Sequence, residues 1–382
     1  MLELPPLSLY IHIPWCVRKC PYCDFNSHKI EQTLPEQEYI TALCEDFDAE
    51  MSQREILSGR EIASIFIGGG TPSLFDASSF ERLFEHLNSN AKLAKDLEIT
   101  LEANPGTVEA RKFREFREVG FNRLSLGIQS FNDAHLSSLG RIHDGAQASA
   151  AIDIAHKAGF DNLNLDLMHG LPSQSPQQAL DDLHAAMAVN PAHLSWYQLT
   201  IEPNTEFYRR PPVLPEEPLL LEMQDQGLQL LQENGFNRYE VSAYAQPGKQ
   251  CSHNLNYWRF GDYLGIGAGA HGKLTDINTD TVYRSRKLKQ PSHYIHNTVN
   301  REAERNEIKL EDRALEFLLN ALRIRSGFSI ALFESRAGVP FSTIRKKVEY
   351  LVSNDLLSIT GSTVATTQIG YSLLNSVLEE FL

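Results

Sequence analysis

One pattern constrains the fold of this chain more than any other. Between residues 1 and 206, a short apolar or alternating run, a polar or glycine-rich ending and a longer segment of helical periodicity succeed one another six times. The expected strands are 7–13, 62–67, 97–103, 123–128, 162–168 and 193–201, with helical spacing at 36–57, 78–87, 108–119, 145–158 and 177–189. Strands that alternate with helices in this way predict an α/β fold with a parallel sheet. A partial (β/α)6 barrel is the expected layout, and an open doubly wound sheet is the competing one.

The C-terminal end of each strand carries chemistry. The endings read His12-Ile13-Pro14-Trp15-Cys16, Gly68-Gly69-Gly70-Thr71-Pro72, Glu102-Ala103-Asn104-Pro105-Gly106, Gly127-Ile128-Gln129-Ser130, Asp166 with His169-Gly170-Leu171-Pro172, and Glu202-Pro203-Asn204. Loops at the C-terminal ends of parallel strands converge, so these groups are expected around one cavity.

Three of the five cysteines, Cys16, Cys20 and Cys23, form C-x3-C-x2-C in the first of these loops, with Tyr22 just before the last. An odd number of cysteines in a long chain argues against a disulfide framework and for metal or redox chemistry. Three thiolates can hold three corners of a 4Fe-4S cube and leave the fourth iron open. A zinc site completed by His12 or His28, unligated buried thiols and a redox pair are the alternatives. Cys44 and Cys251 stand alone and read as small core residues.

The triplet with its preceding aromatic resembles the signature of the radical S-adenosylmethionine superfamily. Tyr10-Ile11-His12-Ile13-Pro14-Trp15-Cys16, Gly68-Gly69-Gly70-Thr71-Pro72 and His253-Asn254-Leu255-Asn256-Tyr257-Trp258 resemble, in order, its coproporphyrinogen III oxidase-like branch, and within it the haem-chaperone subgroup. The resemblance implies a 4Fe-4S cluster on Cys16, Cys20 and Cys23 with adenosylmethionine on the open iron. It places Tyr10 beside that cofactor, Gly69, Gly70 and Thr71 against its methionine part, and Glu102, Gln129, Arg141 and Asp166 as further contacts. Carboxylates accepting from ribose and ammonium groups, and an arginine gripping a carboxylate, suit those roles. The bland readings are a plain tight turn for 68–70, a surface charge for Arg141 and a structural ion pair for Asp166.

Two departures separate the chain from the oxidase. Phe25 stands where the oxidase has a fourth cysteine, and only nine residues precede Tyr10, where the oxidase carries a longer extension. The expected function is therefore haem chaperoning: haem as cargo, passed by transient contact to haem-requiring clients, respiratory proteins among them. Oxygen-independent decarboxylation of coproporphyrinogen III is the alternative, and whether the chain is an enzyme stays open. A cytoplasmic protein is expected, as a monomer or a cluster-dependent dimer, with contact at the inner face of a membrane as a further implication. His253, Tyr257 and Trp258 are the candidate haem contacts, an imidazole for iron and two flat rings for the macrocycle. A turn cap and core aromatics are the plain reading of the same residues, and His12, His169 and His271 are further conceivable ligands.

Other features exclude function classes. The net charge of −14 opposes nucleic acid, no apolar stretch is long enough for a bilayer, and the first Lys or Arg is Arg18, unlike a secretory leader. Gly267-Ala268-Gly269-Ala270-His271-Gly272 fits G-x-G-x-x-G but lacks a β-α-β setting, so a close-packed turn is expected rather than a dinucleotide site. The expected division is 1–206 as the barrel, 207–309 as a linker and wrapping segment, and 310–382 as a winged-helix-like α+β domain. The last has seven Lys and Arg against eight Asp and Glu, which gives no basic footprint for DNA.

Overall fold

The structure, a computed structural model, describes all residues except 32, 108 and 109, so the expected helix start at 108 lies outside the described residues. Six strands lie side by side in chain order, every neighbour parallel: β1 (Leu7–Ile13), β2 (Glu61–Gly69), β3 (Lys92–Ala103), β4 (Arg123–Gln129), β5 (Leu163–His169) and β6 (His193–Gln198). A doubly wound sheet would break this order at a switch point, whereas an unbroken order curls toward a barrel. The connecting helices are α1 (Glu36–Gln53), α2 (Ala77–Asn90), α3 (Ala110–Val119), α4 (Gly145–Lys157) and α5 (Pro176–Ala188). Capping boxes, Asp144 with Gln147 and Ser175 with Gln178, start α4 and α5, and Pro176 sits where no helical N–H is needed.

The strands alternate in a way that explains both faces. Leu7, Leu9, Ile11, Ile65, Ile67, Leu101, Leu124, Leu126, Leu163, Leu165 and Leu194 belong to the main apolar core. The residues between them are polar and bond one another: Ser8 to Ser64 (2.8 Å), Ser125 to Asp166 (2.8 Å), Asn164 to His193 (2.6 Å) and Tyr197 to Gln129 (2.8 Å). A two-residue period thus puts apolar side chains on one face of the sheet and a hydrogen-bonded polar lining on the other.

The segment expected as a linker and wrapping segment adds strands to both edges of the same sheet. It holds α6 (Glu217–Glu233), β7 (Asn237–Glu240), β8 (Ala243–Ala245), α7 (Ser252–Trp258), β9 (Asp262–Ile266), β10 (His271–Asp276), β11 (Thr281–Lys287) and β12 (Glu302–Glu307). β9 runs parallel to β1 and leads on to antiparallel β10, β11 and β12, while β8 and then β7 extend the far edge beyond β6. Among the described residues this makes one open twelve-stranded sheet whose ends do not meet. Buried charges fasten the extension to α1: Lys287 reaches Asp46 (2.5 Å) and Glu50 (2.7 Å), and Arg54 joins Glu50 to Glu302.

Residues 313–366 form helices Arg313–Ala321, Ile330–Ala337 and Arg345–Ser353 and then a hairpin, Leu357–Thr360 and Thr363–Thr366, edged by Phe328–Ser329: a winged-helix arrangement. Its own core of Phe317, Phe328, Phe333 and Phe341 takes in Leu2, Phe260 and Val282 from elsewhere in the chain. Two short helices, Gln368–Ser372 and Leu374–Glu379, follow the hairpin. Among the described residues no helix is long and apolar enough to cross a membrane.

Candidate functional site

The loop after β1 is closed on itself by His28 N–H to Pro14 O (2.7 Å) and Ile30 N–H to Cys16 O (3.0 Å). Asn26 ties it to the extension, its amide donating to Ala268 O (2.8 Å) and Lys289 O (2.9 Å). Tyr22 packs with Leu139, Met168, Leu171 and Phe207 beside the ends of β5 and β6. Cys16, Cys20 and Cys23 are free thiols, half-buried. Thr71 Oγ1 lies 3.6 Å from Cys16 Sγ, Arg141 Nη1 3.7 Å from Cys20 Sγ and Ser27 Oγ 3.7 Å from Cys23 Sγ, so each sulfur has a polar neighbour.

A continuous chain of hydrogen bonds spans the strand ends. Asn104 donates to Thr71 Oγ1 (2.8 Å), and Arg141 donates to Asn104 Oδ1 and to Gly127 O (2.6 Å). Arg141 Nε is buried without a partner among the described residues, a donor left over in a built polar site. A side chain at Gly127 would collide with this cluster, its Cβ 2.9 Å from Asn104 Oδ1 and 3.2 Å from Gln129 Nε2. Gln129 holds φ at 70°, a costly backbone for a residue other than glycine. Arg141 is thus no surface charge. Asn104 and Gly127 are site residues that the strand endings contain but that no sequence pattern marks with a role.

Gly69, with φ at 117°, donates its N–H to Glu102 Oε2 (3.0 Å), and a Cβ there would lie 2.7 Å from His12 Nδ1. Only glycine suits that backbone and that contact. Burial first, then repulsion from Asp166, pushes the Glu102 carboxyl up to about 7. Asp166 sits in the polar lining, held by Ser125 and by Asn164 (2.9 Å), and burial raises it too. These partners are neutral donors, so Asp166 is not held as a structural ion pair. Tyr10, His12, Gly69, Glu102 and Tyr257 line one cavity of about 460 Å³ with Phe25, Asn26, Tyr263, His271 and Lys289.

His253, an expected haem contact, is closed in by protein partners in this structure. It is fully buried in α7, its Nδ1 3.0 Å from Ser64 Oγ and its Nε2 2.7 Å from Tyr257 OH. Both ring nitrogens are engaged, so neither is offered to iron in this arrangement. Glu98 anchors the start of α7 by accepting from Ser252 and His253 N–H (3.2 and 3.0 Å). Trp258 turns toward the C-terminal domain, under the Arg323 guanidinium at 4.3 Å. Of the three, only Tyr257 faces the cavity.

Residues 10–186 match the Radical SAM superfamily and residues 308–373 the HemN C-terminal domain. The Escherichia coli coproporphyrinogen III oxidase HemN, a radical SAM enzyme, shares the fold: TM-score 0.83 over 99% of this chain and 90% of that one, at 22% identity. Proteins named "Heme chaperone HemW" align end to end. The Haemophilus influenzae protein is 48% identical over 100% of this chain and 99% of its own length, and the Escherichia coli protein 46% over 100% of both. The chain belongs to the HemW family of radical SAM proteins. The Bacillus subtilis HemW keeps 33% identity over 98% of this chain and 99% of its own length.

The superfamily implies a 4Fe-4S cluster and adenosylmethionine, and the HemW-type site fits both. Its three free thiols share one loop, and an arginine with an unpartnered Nε lies against Cys20. Among the described residues no three His, Cys, Asp or Glu side chains converge as around a single ion. Cluster ligands stand further apart than the ligands of one ion, because they bind different irons.

Proposed function

We propose that this protein binds haem and passes it to haem-requiring proteins, from a site that also holds a 4Fe-4S cluster on Cys16, Cys20 and Cys23 and adenosylmethionine beside it. The observation that carries this reading is the end-to-end identity of up to 48% with proteins named for haem chaperoning. Phe25, exposed on the cavity where the oxidase has a cysteine, supports it over decarboxylation. When bound, the cluster supplies an electron and an open iron for adenosylmethionine.

The chain's own residues have distinct tasks in this reading. Thr71 and Arg141 donate toward the sulfurs of Cys16 and Cys20. Gly69 and Gly70 leave backbone open to close approach by the methionine part, while Glu102 and Asp166 receive its donors. Arg141 Nε and the strained Gln129 are preset for the cofactor, and Tyr10 is fixed by His12 Nδ1 at 2.9 Å. The clients are respiratory proteins met at a membrane face, and the cluster-bearing form is the one that pairs into a dimer.

The test uses anaerobically reconstituted protein. Titrated haem should bind and move to an apo-haem protein, while coproporphyrinogen III with adenosylmethionine and reductant should yield no decarboxylated product by mass spectrometry. Repeated turnover to that product would overturn the reading. Replacing the three cluster cysteines with serine should abolish the iron-sulfur absorbance.

A further inference from the structure

Two cavities share α7 as a wall. Tyr257 lines the one that Tyr10, Gly69 and Glu102 also line, whereas Ser252, Leu255, Asn256 and Arg259 line a second of about 500 Å³. Spacings of three and four put those four residues on one face of the helix. The other walls come from the N-terminal ends of β1 and β2, with Ser8, Ala63 and Ser64, and from the helix Ile330–Ala337 of the C-terminal domain, with Leu332 and Arg336. The volume is in the range of sites for one small organic ligand.

This second cavity is partly apolar, cationic and, among the described residues, lined by no carboxylate. Most of its neutral polar groups are already used: Ser8 Oγ meets Ser64 Oγ at 2.8 Å, Asn256 donates to Ser8 Oγ (2.9 Å) and Asp262 O (2.8 Å), and Ser329 caps the helix Ile330–Ala337. The two guanidiniums are not used up. Arg259 is exposed, and its side chain makes no hydrogen bond or ion pair with the described residues. Arg336 donates to Glu3 O (3.2 Å), and its buried Nε has no partner among the described residues. Burial lowers the proton affinity of Arg336, Asp262 and Glu3 oppose that, and Arg60 adds to it. Asp262 is itself engaged by Arg60 (2.8 Å), Lys273 (3.0 Å) and Thr275 (2.8 Å). Spare guanidinium donors without a carboxylate of their own suit a ligand that brings one.

We propose that haem lies in this second cavity, with its two propionates on Arg259 and Arg336 and its macrocycle against Ala63, Leu255 and Leu332. This rests on the reading that the chain binds haem, and it leaves the cavity on the Tyr257 side of α7 to adenosylmethionine. His253 meets the wall from behind, its Nδ1 3.0 Å from Ser64 Oγ, so the imidazole expected at iron is one serine hydroxyl away from the ligand. Through Leu332 and Arg336, the C-terminal domain supplies one wall of the haem site.

The experiment titrates two ligands into the full-length, cluster-loaded chain: ferric haem, and its dimethyl ester, which keeps the ring and the iron but lacks the carboxylates. Wild type should bind haem about tenfold or more tightly than the ester. Arg336→Gln should lower haem affinity about tenfold, and Arg259→Gln, on the more exposed residue, a few-fold. Both variants should bind the ester as wild type does, with the Soret band and the cluster absorbance unchanged. Should Arg336→Gln lose its circular dichroism, Arg259→Gln decides alone. Equal losses for haem and ester, or no loss of haem affinity, would overturn the assignment while haem binding by the chain stands. No haem binding by wild type would overturn both.

Discussion

The parallel half of the sheet and its antiparallel extension handle charge in opposite ways. At the ends of β1 to β6, Glu102, Arg141 and the cysteines sit among partial partners, with a donor left over and a carboxyl pushed up to about 7. In the extension, Lys287 is closed between Asp46 and Glu50, and Arg54 between Glu50 and Glu302. Both regions bury ionisable groups. The difference teaches that a completed network is a fastening, whereas an incomplete one, aimed at a cavity, is a place for something else to bind.

Breaking the completed network should therefore cost the most stability. Lys287→Met leaves Asp46 without its cation and Glu50 with Arg54 alone, and should destabilise the fold by about 3–5 kcal/mol in denaturant titration. A loss within the range of an exposed pair would erase the contrast. In the incomplete network, Arg141→Lys should spare most of the stability but weaken adenosylmethionine binding by roughly 10- to 100-fold in equilibrium titration, because an ammonium cannot reproduce the planar fork. Equal damage to stability and affinity would mean that Arg141 is a fastening too.

A subtler effect concerns pH. A carboxyl whose pKa rises from 4.5 unfolded to about 7 folded binds more protons in the folded state, so its contribution to stability falls as pH climbs through that window. Cofactor-free wild type should accordingly lose part of its stability between about pH 4.5 and 7. Glu102→Gln should flatten that portion of the profile. Parallel profiles for the two proteins would remove Glu102 from the unsatisfied set.

The same contrast explains what could be read from the sequence. β1 matches its expected bounds because Leu7, Leu9, Ile11 and Ile13 alternate with Ser8, Tyr10 and His12 around a fixed two-residue period. The strand endings carried the cysteines and Glu102 into view, and Arg141 came only from the family resemblance. The extension did not stand out: β12 is Glu-Ala-Glu-Arg-Asn-Glu and mostly exposed, and β11 alternates around charged residues, so neither has the apolar signal of a strand. Their stability comes from partners on α1, far away in sequence, which no local pattern records. The partners of His253 were illegible for a related reason, since an imidazole in an aromatic motif looks the same whether its nitrogens are free or taken up by Ser64 and Tyr257.

The position of β1 has a kinetic consequence. It lies between β2 and β9, and its pairing of Leu7 with Asp262 joins residues more than 250 positions apart. Asn26 in the cysteine loop likewise waits for Ala268 and Lys289. Contacts this remote form late, after the chain has met the entropy cost of closing a very long loop. The cysteines lie far upstream of the strand and turn that anchor their loop, so that loop is one of the last parts of the molecule to become rigid. Cluster insertion is thereby a step that comes after synthesis, and a nascent or truncated chain that stops short of β9 presents three exposed thiols without the scaffold that positions them.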